Sequence, residues 1–385
     1  MNSLIQLNKI RKFTDEEEIY LFTYRNRWKS LTMCMKFLGL KFEKRFTPHI
    51  IFMLIAEKIY TIFFIYENII TLSNYSFSLV NWIIFIYFVF FHFVNIFSLY
   101  HFHLNKKKIT AKLNNLYEVS GISRETCIKS RSMLIKVCLI WLNSIVFNAI
   151  VCLHISGKRF QLGVKEVFHI NFDDYRADII TFFSYFYGNF VIPIQFQFLL
   201  LYFCSICKDF EYSFALIRKN LADKRTPKQI NEASYKYIQI LAMVNDIESI
   251  YSPVLFLWST SIVGNVIFMI GGYLQRMTSS IDMTDVISFF CCTGFQFLLF
   301  SNVCFSSSNM NREAKKFAMS IYKASLSIND QAVRQFAFQF SMEILQDLPN
   351  FSAWNMFCID NNFTMAIFSA VVTYGLIIFQ FSSKQ

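Results

Sequence analysis

Long stretches of mostly apolar residues alternate with shorter polar stretches along the whole chain. Because a helix needs about 20 apolar residues to cross the hydrocarbon core of a bilayer, we predict seven membrane-spanning helices. The first is the weakest candidate, since Glu57 and Lys58 stand near its middle and charges there oppose insertion. The predicted spans are 49–72, 79–103, 133–154, 178–205, 252–275, 285–306 and 362–382.

Two of the polar stretches have the period of helices and not the character of loops. Apolar side chains recur three or four positions apart within residues 206–251, with a break at Thr226-Pro227, and again within 309–349. Amphipathic helices of this kind bury their apolar stripe either on a membrane surface or inside a packed domain. The pattern leaves both possibilities open.

Composition agrees with this all-α integral membrane fold. The chain is 55% hydrophobic and 16% charged, whereas soluble domains average about 25% charged residues. It has no glycine-rich phosphate loop and no nucleophile elbow, and its six histidines lack partners at metal-ligand spacing. We therefore expect no enzyme activity, no cofactor and no bound metal. His92 and Asn95, three apart on span 2, are expected to hydrogen-bond within the bundle.

The basic residues set the orientation. Of the 37 Lys and Arg residues, 29 lie in the N-terminal stretch and the stretches after spans 2, 4 and 6, and only 6 lie on the opposite side. The basic side is cytoplasmic, so the N-terminus is expected inside and the C-terminus outside, the reverse of a G-protein-coupled receptor. Basic residues spread between spans also argue against a nucleic-acid partner. The expected location is the plasma membrane, in contact with lipid.

The predicted outer side carries two candidate modifications. The sequon at Asn74 lies in the first outer loop and is a glycosylation candidate. A disulfide between Cys152 and either Cys291 or Cys292 is compatible with this topology. Sequence alone does not decide whether it forms.

The last span has one face of small and polar residues. Ala366, Ala370, Thr373, Ile377 and Gln380 follow one another at steps of four, three, four and three, so they share one side of the helix. We call this face the seam. Lipid favours neither small nor polar side chains. Either the seam packs inside one subunit, or copies of the helix line a pore.

Thr373-Tyr374, five mostly hydrophobic residues and then Gln380-Phe381 close the chain. This motif resembles the signature of the insect gustatory receptor family, within the insect chemoreceptor superfamily of seven-helix ligand-gated ion channels. Phe37-Leu38-Gly39-Leu40 is similar to the segment that these receptors carry before their first span. The resemblance implies that Tyr374, Ile377 and Gln380 are pore residues and that four subunits assemble around their last spans. It also implies that the cytoplasmic helices form an anchor domain.

Elementary physics fits these implied roles. A ring of aliphatic side chains such as Ile377 closes a channel by dewetting, and amide oxygens such as those of Gln380 replace water around a passing ion. Tyr374 can pack against a neighbouring helix and hydrogen-bond. No acidic ring lies on the last span, so we expect cation selectivity to be broad.

The resemblance further implies a small-molecule pocket that opens to the outside among spans 2 to 6. Aromatic walls with a few polar groups are typical of such pockets. Alternatively, the same polar groups hold the bundle together. The candidate pocket residues are Asn148, Tyr185, Tyr187, Asn189 and Asn265.

The function expected is therefore a gustatory receptor that acts as a non-selective cation channel opened by an external tastant. It would work as a homotetramer, or as a heteromer with related subunits, in a sensory neuron membrane. Gly375 stands where the sugar-sensing branch of the family commonly has Glu, which argues against a sugar receptor. The alternatives are an odorant-receptor-like subunit that needs a co-receptor, a metabotropic seven-helix receptor and, more weakly, a transporter.

Overall fold

The computed structural model describes residues 29–38, 40, 79–121, 131–155, 192–223, 226–276 and 294–382. Within these ranges the chain is helical apart from one small hairpin. Predicted span 1 and Asn74 lie outside the described residues. The elements are α1 (Lys29–Phe37), α2 (Leu79–Ser120), α3 (Arg131–Ile155), α4 (Ile192–Asp223), α5 (Pro227–Arg276), α6 (Phe295–Ser325), α7 (Gln331–Gln346), β1 (Ser352–Ala353), β2 (Phe357–Cys358) and α8 (Asn361–Ser382).

Several helices continue well beyond the predicted spans. The apolar composition of span 2 ends near residue 103, yet α2 runs on to Ser120. The predicted break at Thr226-Pro227 is present, because α4 ends at Asp223 and α5 begins at Pro227, a residue well suited to the first turn of a helix.

One helical stretch within the described part of the chain is long and apolar enough to cross a membrane, namely Pro227–Val266. A shorter apolar stretch is Met133–Val146. Much of predicted span 4 and nearly half of predicted span 6 lie outside the described residues. The number of spans therefore stays a prediction.

Helix α4 forms the centre of the fold. Its side chains are buried on all sides from Ile194 to Cys207, as expected for a helix that is apolar all round. Helices α2 and α5 pack beside it and run antiparallel to each other. Trp258 Nε1 donates a hydrogen bond to Ser98 Oγ over 2.9 Å, and further along the pair Lys112 bonds to Asp246.

Beyond the predicted spans, the ends of α4, α5 and α6 join α7 in a second cluster, which we call the extension bundle (residues 206–251 and 309–349). Tyr237 is at its centre, with its ring stacked on Phe317 at 5.2 Å and edge-on to Phe340 at 5.9 Å between centroids. The two amphipathic stretches of the sequence thus bury their stripes against each other. Helix α7 is capped by Asp330, which accepts from two backbone N–H groups.

Candidate functional site

The start of α8 is fixed by hydrogen bonds from its own subunit. The Asp360 carboxylate accepts from the backbone N–H of Phe363 at 2.8 Å, which satisfies one of the free donors of a helix N-terminus. The backbone N–H of Asn361 donates to Ser308 Oγ on α6 at 2.9 Å. The first turn of α8 is therefore attached to α6.

A two-stranded hairpin leads into this helix. Ser352 pairs with Cys358, and Ala353 pairs with Phe357. The turn residues Trp354 and Asn355 have φ angles of 52° and 56°, which costs a bulky side chain about 1–2 kcal/mol. A contact between the Trp354 ring and Phe256, at 5.4 Å between centroids, helps to offset that cost.

The hairpin is bound to α5 by the hairpin clamp, which we define as Glu248, Ser252 and Ser352. Glu248 Oε1 accepts from the Ser352 N–H at 3.0 Å and from Ser352 Oγ at 2.5 Å. The N–H of Trp354 donates to Ser252 Oγ at 2.8 Å. The next residue is Pro253, and a proline inside a helix frees a carbonyl and distorts the ladder. The hairpin thus docks where the regular bonding of α5 is interrupted.

Aromatic rings pack around the same junction. Phe363 of α8 stacks on Phe357 of the hairpin at 4.4 Å, and it contacts Phe300 of α6 edge-on at 6.1 Å. Phe351 is fully buried and lies 5.0 Å from the ring of Phe203 on α4. The base of α8 is therefore part of the core of its own subunit.

Above this base, α8 is poorly covered by its own chain. Only Thr364 and Ile367 are buried among its described side chains, whereas Leu376 is 58% and Ile377 is 41% exposed. An apolar helix with so much free surface requires lipid or another chain to cover it.

The seam faces away from the subunit. Ala366, Thr373, Ile377 and Gln380 are exposed, and Ala370 is half-buried. Contacts within the chain therefore leave most of the seam exposed. This does not fit the possibility that the seam packs inside one subunit. The side chains of the motif residues Tyr374 and Phe381 lie outside the described ones.

Only one predicted pocket side chain can be placed. Asn265 of α5 is half-buried, and its Nδ2 donates to Gln296 Oε1 of α6 at 3.0 Å. Asn148 lies on α3 with its side chain outside the described set, and Tyr185, Tyr187 and Asn189 lie outside it entirely. The pocket therefore stays a prediction. Gln296 was not predicted, because a single polar residue within a span does not indicate which residue it bonds to.

Asn95 of α2 differs from expectation. Its side chain is 1% exposed, and neither atom of its amide has a hydrogen-bond partner among the described residues. The expected hydrogen bond within the bundle is thus wrong for Asn95. A buried amide without a partner is costly, which marks this position as a place where a polar group can be received.

The described residues were also compared with the requirements of metal and disulfide sites. Among the described residues no group of three or more His, Cys, Asp or Glu is arranged to hold a metal ion. Partial burial raises the pKa of the free Cys358 thiol, and the carboxylates of Asp360 and Glu248 raise it further. The side chains of Cys152 and of its two candidate disulfide partners, Cys291 and Cys292, lie outside the described ones.

The family model of the 7tm chemosensory receptors matches residues 39–385. The chain belongs to the 7tm chemosensory receptor family. It is accordingly a membrane-embedded receptor. The resemblance seen in the C-terminal motif is confirmed at the level of the family, while the gustatory subtype stays a prediction.

Solved structures agree with this family in fold. The chain is similar to the insect olfactory receptor OR5 from Machilis hrabei in complex with eugenol, with a TM-score of 0.62 and 14% identity over 94% of this chain and 99% of that one. A second structure of OR5 from Machilis hrabei gives a TM-score of 0.61 and 12% identity over the same shares. No curated protein matches the chain in sequence.

Proposed function

We propose that this chemosensory receptor is a gustatory receptor, and that it acts as a non-selective cation channel opened by an external small-molecule tastant. Copies of α8 would surround the ion path, with Ile377 as the hydrophobic constriction and Gln380 as a polar ring beside it. Tyr374 would pack between neighbouring copies. Broad cation selectivity follows from the lack of acidic residues on this helix.

The observation that carries the proposal is the exposure of α8. An apolar helix near the C-terminus is anchored at its base, and most of its described side chains above that base are exposed. Lipid can cover its aliphatic residues, but it does not favour a face with Thr373 and Gln380. Other copies of the same helix, arranged around water, satisfy that face.

The anchored base suggests how the channel opens. The hairpin clamp and the aromatic rings around Phe363 hold the first turn of α8 against α5 and α6. On opening, the upper turns would change position relative to that base. A tastant that binds the open arrangement more tightly would shift the population towards it and widen the ring at Ile377.

The bundle also offers a place for the polar group of a ligand. Asn95 presents a buried amide without a protein partner, one turn along α2 from the Ser98 and Trp258 pair. Asn265 of α5 and Gln296 of α6 bond to each other. Together with the predicted residues Asn148, Tyr185, Tyr187 and Asn189, these groups make a small polar molecule with an apolar body the expected ligand class.

A second candidate function is an odorant-receptor-like subunit that conducts only with a co-receptor. It is favoured by the similarity to the OR5 structures, one of which holds eugenol. The two candidates differ in self-sufficiency, because the gustatory channel conducts as a homomer.

Whole-cell recording from cells that express this chain alone tests the proposal. Sugars, bitter alkaloids and amino acids are applied to the native chain and to I377A, Q380A and L376A. The last is the matched control, since Leu376 is exposed beside the seam but not on it. We expect a ligand-evoked cation current, a raised resting current in I377A, altered permeation in Q380A, and native behaviour in L376A.

Three results would count against the proposal. Currents with the same gating in I377A and L376A would exclude Ile377 as the constriction. Silence from surface-expressed protein, restored by a co-expressed related subunit, would favour the obligate heteromer. A ligand response carried by a G protein without any current through this chain would favour a metabotropic receptor.

A further inference from the structure

Two lysines meet where α3, α4 and α6 pack together. Lys136 of α3 donates from its ammonium group to Asn302 Oδ1 of α6 at 2.5 Å, and Lys208 of α4 lies close enough for the two ammonium groups to interact. The Asn302 amide in turn donates to Cys204 Sγ at 3.1 Å. Among the described residues, the half-buried Lys136 ammonium has a neutral amide as its acceptor, and no carboxylate lies within ion-pair distance.

The carboxylates nearby neutralise this cluster only in part. Glu313 is already shared by Arg218 at 3.2 Å and Lys316 at 2.5 Å. Glu211, three residues beyond Lys208, interacts with Lys208 and also with Arg312 and Lys316. The basic cluster, which we define as Lys136, Lys208 and Arg312, therefore retains an excess of positive charge.

Exposed apolar surface adjoins the basic cluster on two helices. On α3, Leu134 and Ile135 are 52% and 59% exposed immediately before Lys136. On α6, the exposed residues Leu298 and Phe305 precede Arg312 at steps of seven, which places all three on one face. Apolar surface thus gives way to basic surface at one level of the fold.

We propose that the basic cluster binds the phosphate headgroup of an anionic phospholipid. Its acyl chains would lie on the exposed apolar faces of α3 and α6, which a free phosphate ion would leave uncovered. The charge distribution predicts that this level is the cytoplasmic boundary of the membrane, where anionic lipids are concentrated and basic pockets between helices bind headgroups. The phosphate would occupy the donors that Lys136 and Lys208 do not use within the chain.

Lipid retention by the purified full-length receptor tests this site without any measurement of current. The receptor in detergent is exposed to equal amounts of phosphatidic acid and phosphatidylcholine, and the bound lipid is counted by native mass spectrometry. We expect retention of phosphatidic acid to fall about fivefold in K208Q and about thirtyfold in K136Q/K208Q, from the usual contribution of one basic residue near anionic lipid. The double variant K136R/K208R should retain the lipid.

The matched control is K219Q/K323Q, which removes the same charge from exposed positions of the extension bundle. Equal retention in K136Q/K208Q and in this control would overturn the proposal. Full competition by inorganic phosphate would identify a free-anion site and would equally overturn the assignment to lipid. If K136Q/K208Q does not fold, K208Q alone decides, because native retention in that variant contradicts the site. None of these measurements depends on a current, so each outcome can be interpreted even if the receptor does not conduct ions.

Discussion

Two buried tyrosines, Tyr117 of α2 and Tyr237 of the extension bundle, differ in what their hydroxyl groups contact. Tyr117 is 2% exposed and donates to the buried Asp209 carboxylate at 2.6 Å. Tyr237 is 1% exposed, and its hydroxyl has no hydrogen-bond partner among the described residues. Burial raises the pKa of Tyr237, and the Asp347 carboxylate raises it further, so this hydroxyl stays neutral.

Tyr117→Phe should therefore destabilise the receptor, and Tyr237→Phe should not. The first change removes a charge-assisted bond to a buried acid, worth about 1.5–3 kcal/mol. The second removes a hydroxyl that has no protein partner, so its effect should be neutral or slightly stabilising. Thermal unfolding of the two purified variants, each against the native receptor, measures the difference. Equal losses in both would contradict the assigned hydrogen bond.

Glu211 gives the receptor a predictable dependence on pH. Burial raises its pKa above the ordinary value of 4.5, although Lys208 opposes the shift. A carboxyl group whose pKa is raised by folding contributes stability below its ordinary pKa and loses that contribution as pH rises through the folded pKa. The native receptor should therefore lose stability relative to E211Q between pH 4.5 and neutrality.

Thermal unfolding of the native chain and E211Q across this pH range checks the sign. E343Q is the control, because Glu343 is an exposed acid on α7 and its replacement should leave the pH profile unchanged. A difference between native chain and E211Q that stays constant with pH, or that grows in favour of the native chain, would show that burial does not dominate at Glu211.

At the scale of elements, composition predicts helices better than it predicts their ends. The apolar stretch of span 2 was identified, but α2 continues to Ser120 because backbone hydrogen bonds do not stop where the lipid does. The break at Thr226-Pro227 could be predicted, because proline lacks a backbone N–H and its ring fixes φ. The contact between the amphipathic stripes was left open, because a stripe does not identify its partner.

No pattern in the sequence predicted the hairpin before α8. Its strands have two residues each, and its turn places Trp354 and Asn355 in the left-handed region without a glycine. Hairpin signals in sequence depend on glycine or on Asn-Gly at the turn. Here tertiary contacts hold the turn, through the hairpin clamp and the Phe256 ring, and no local pattern records them.

Loss of the hairpin clamp should loosen this element. Glu248→Ala removes an acceptor shared by two groups of Ser352, each a charge-assisted bond worth about 1.5–3 kcal/mol. Amide hydrogen exchange in residues 351–360 should become at least about tenfold faster. Asp246→Ala, which removes the ion pair with Lys112 two residues earlier on α5, should leave that exchange unchanged. Unaltered exchange in E248A would show that the aromatic contacts alone hold the hairpin.

At the scale of the whole molecule, the described chain combines a well-buried bundle with helices that its own chain covers poorly, among them α8. Buried side chains line α4 on every side, whereas α8 contributes little beyond its base to the core of its own subunit. Such a division fits a helix whose remaining contacts are made in an assembly. The motif resemblance implies four copies, and the basic cluster and the pore would then lie on different parts of each subunit.

Access of thiol reagents to single cysteines on α8 follows from this arrangement. In the predicted orientation Gln380 lies outside the constriction at Ile377, so Q380C should react with an external, membrane-impermeant cationic thiol reagent whether or not a tastant is present. I377C should react only when the channel is open, because a dewetted ring excludes a charged reagent. The measurement is the rate at which the reagent blocks the current.

Leu376→Cys is the control for this last prediction. Leu376 is more exposed in the single chain than Ile377, so simple accessibility within one subunit would make L376C the faster of the two. Coverage by lipid or by a neighbouring chain reverses that order, since only the seam would then meet water. Fast, tastant-independent modification of L376C with blocked current would place the ion path on another face of α8, whereas tastant-dependent modification of I377C alone would place it along the seam.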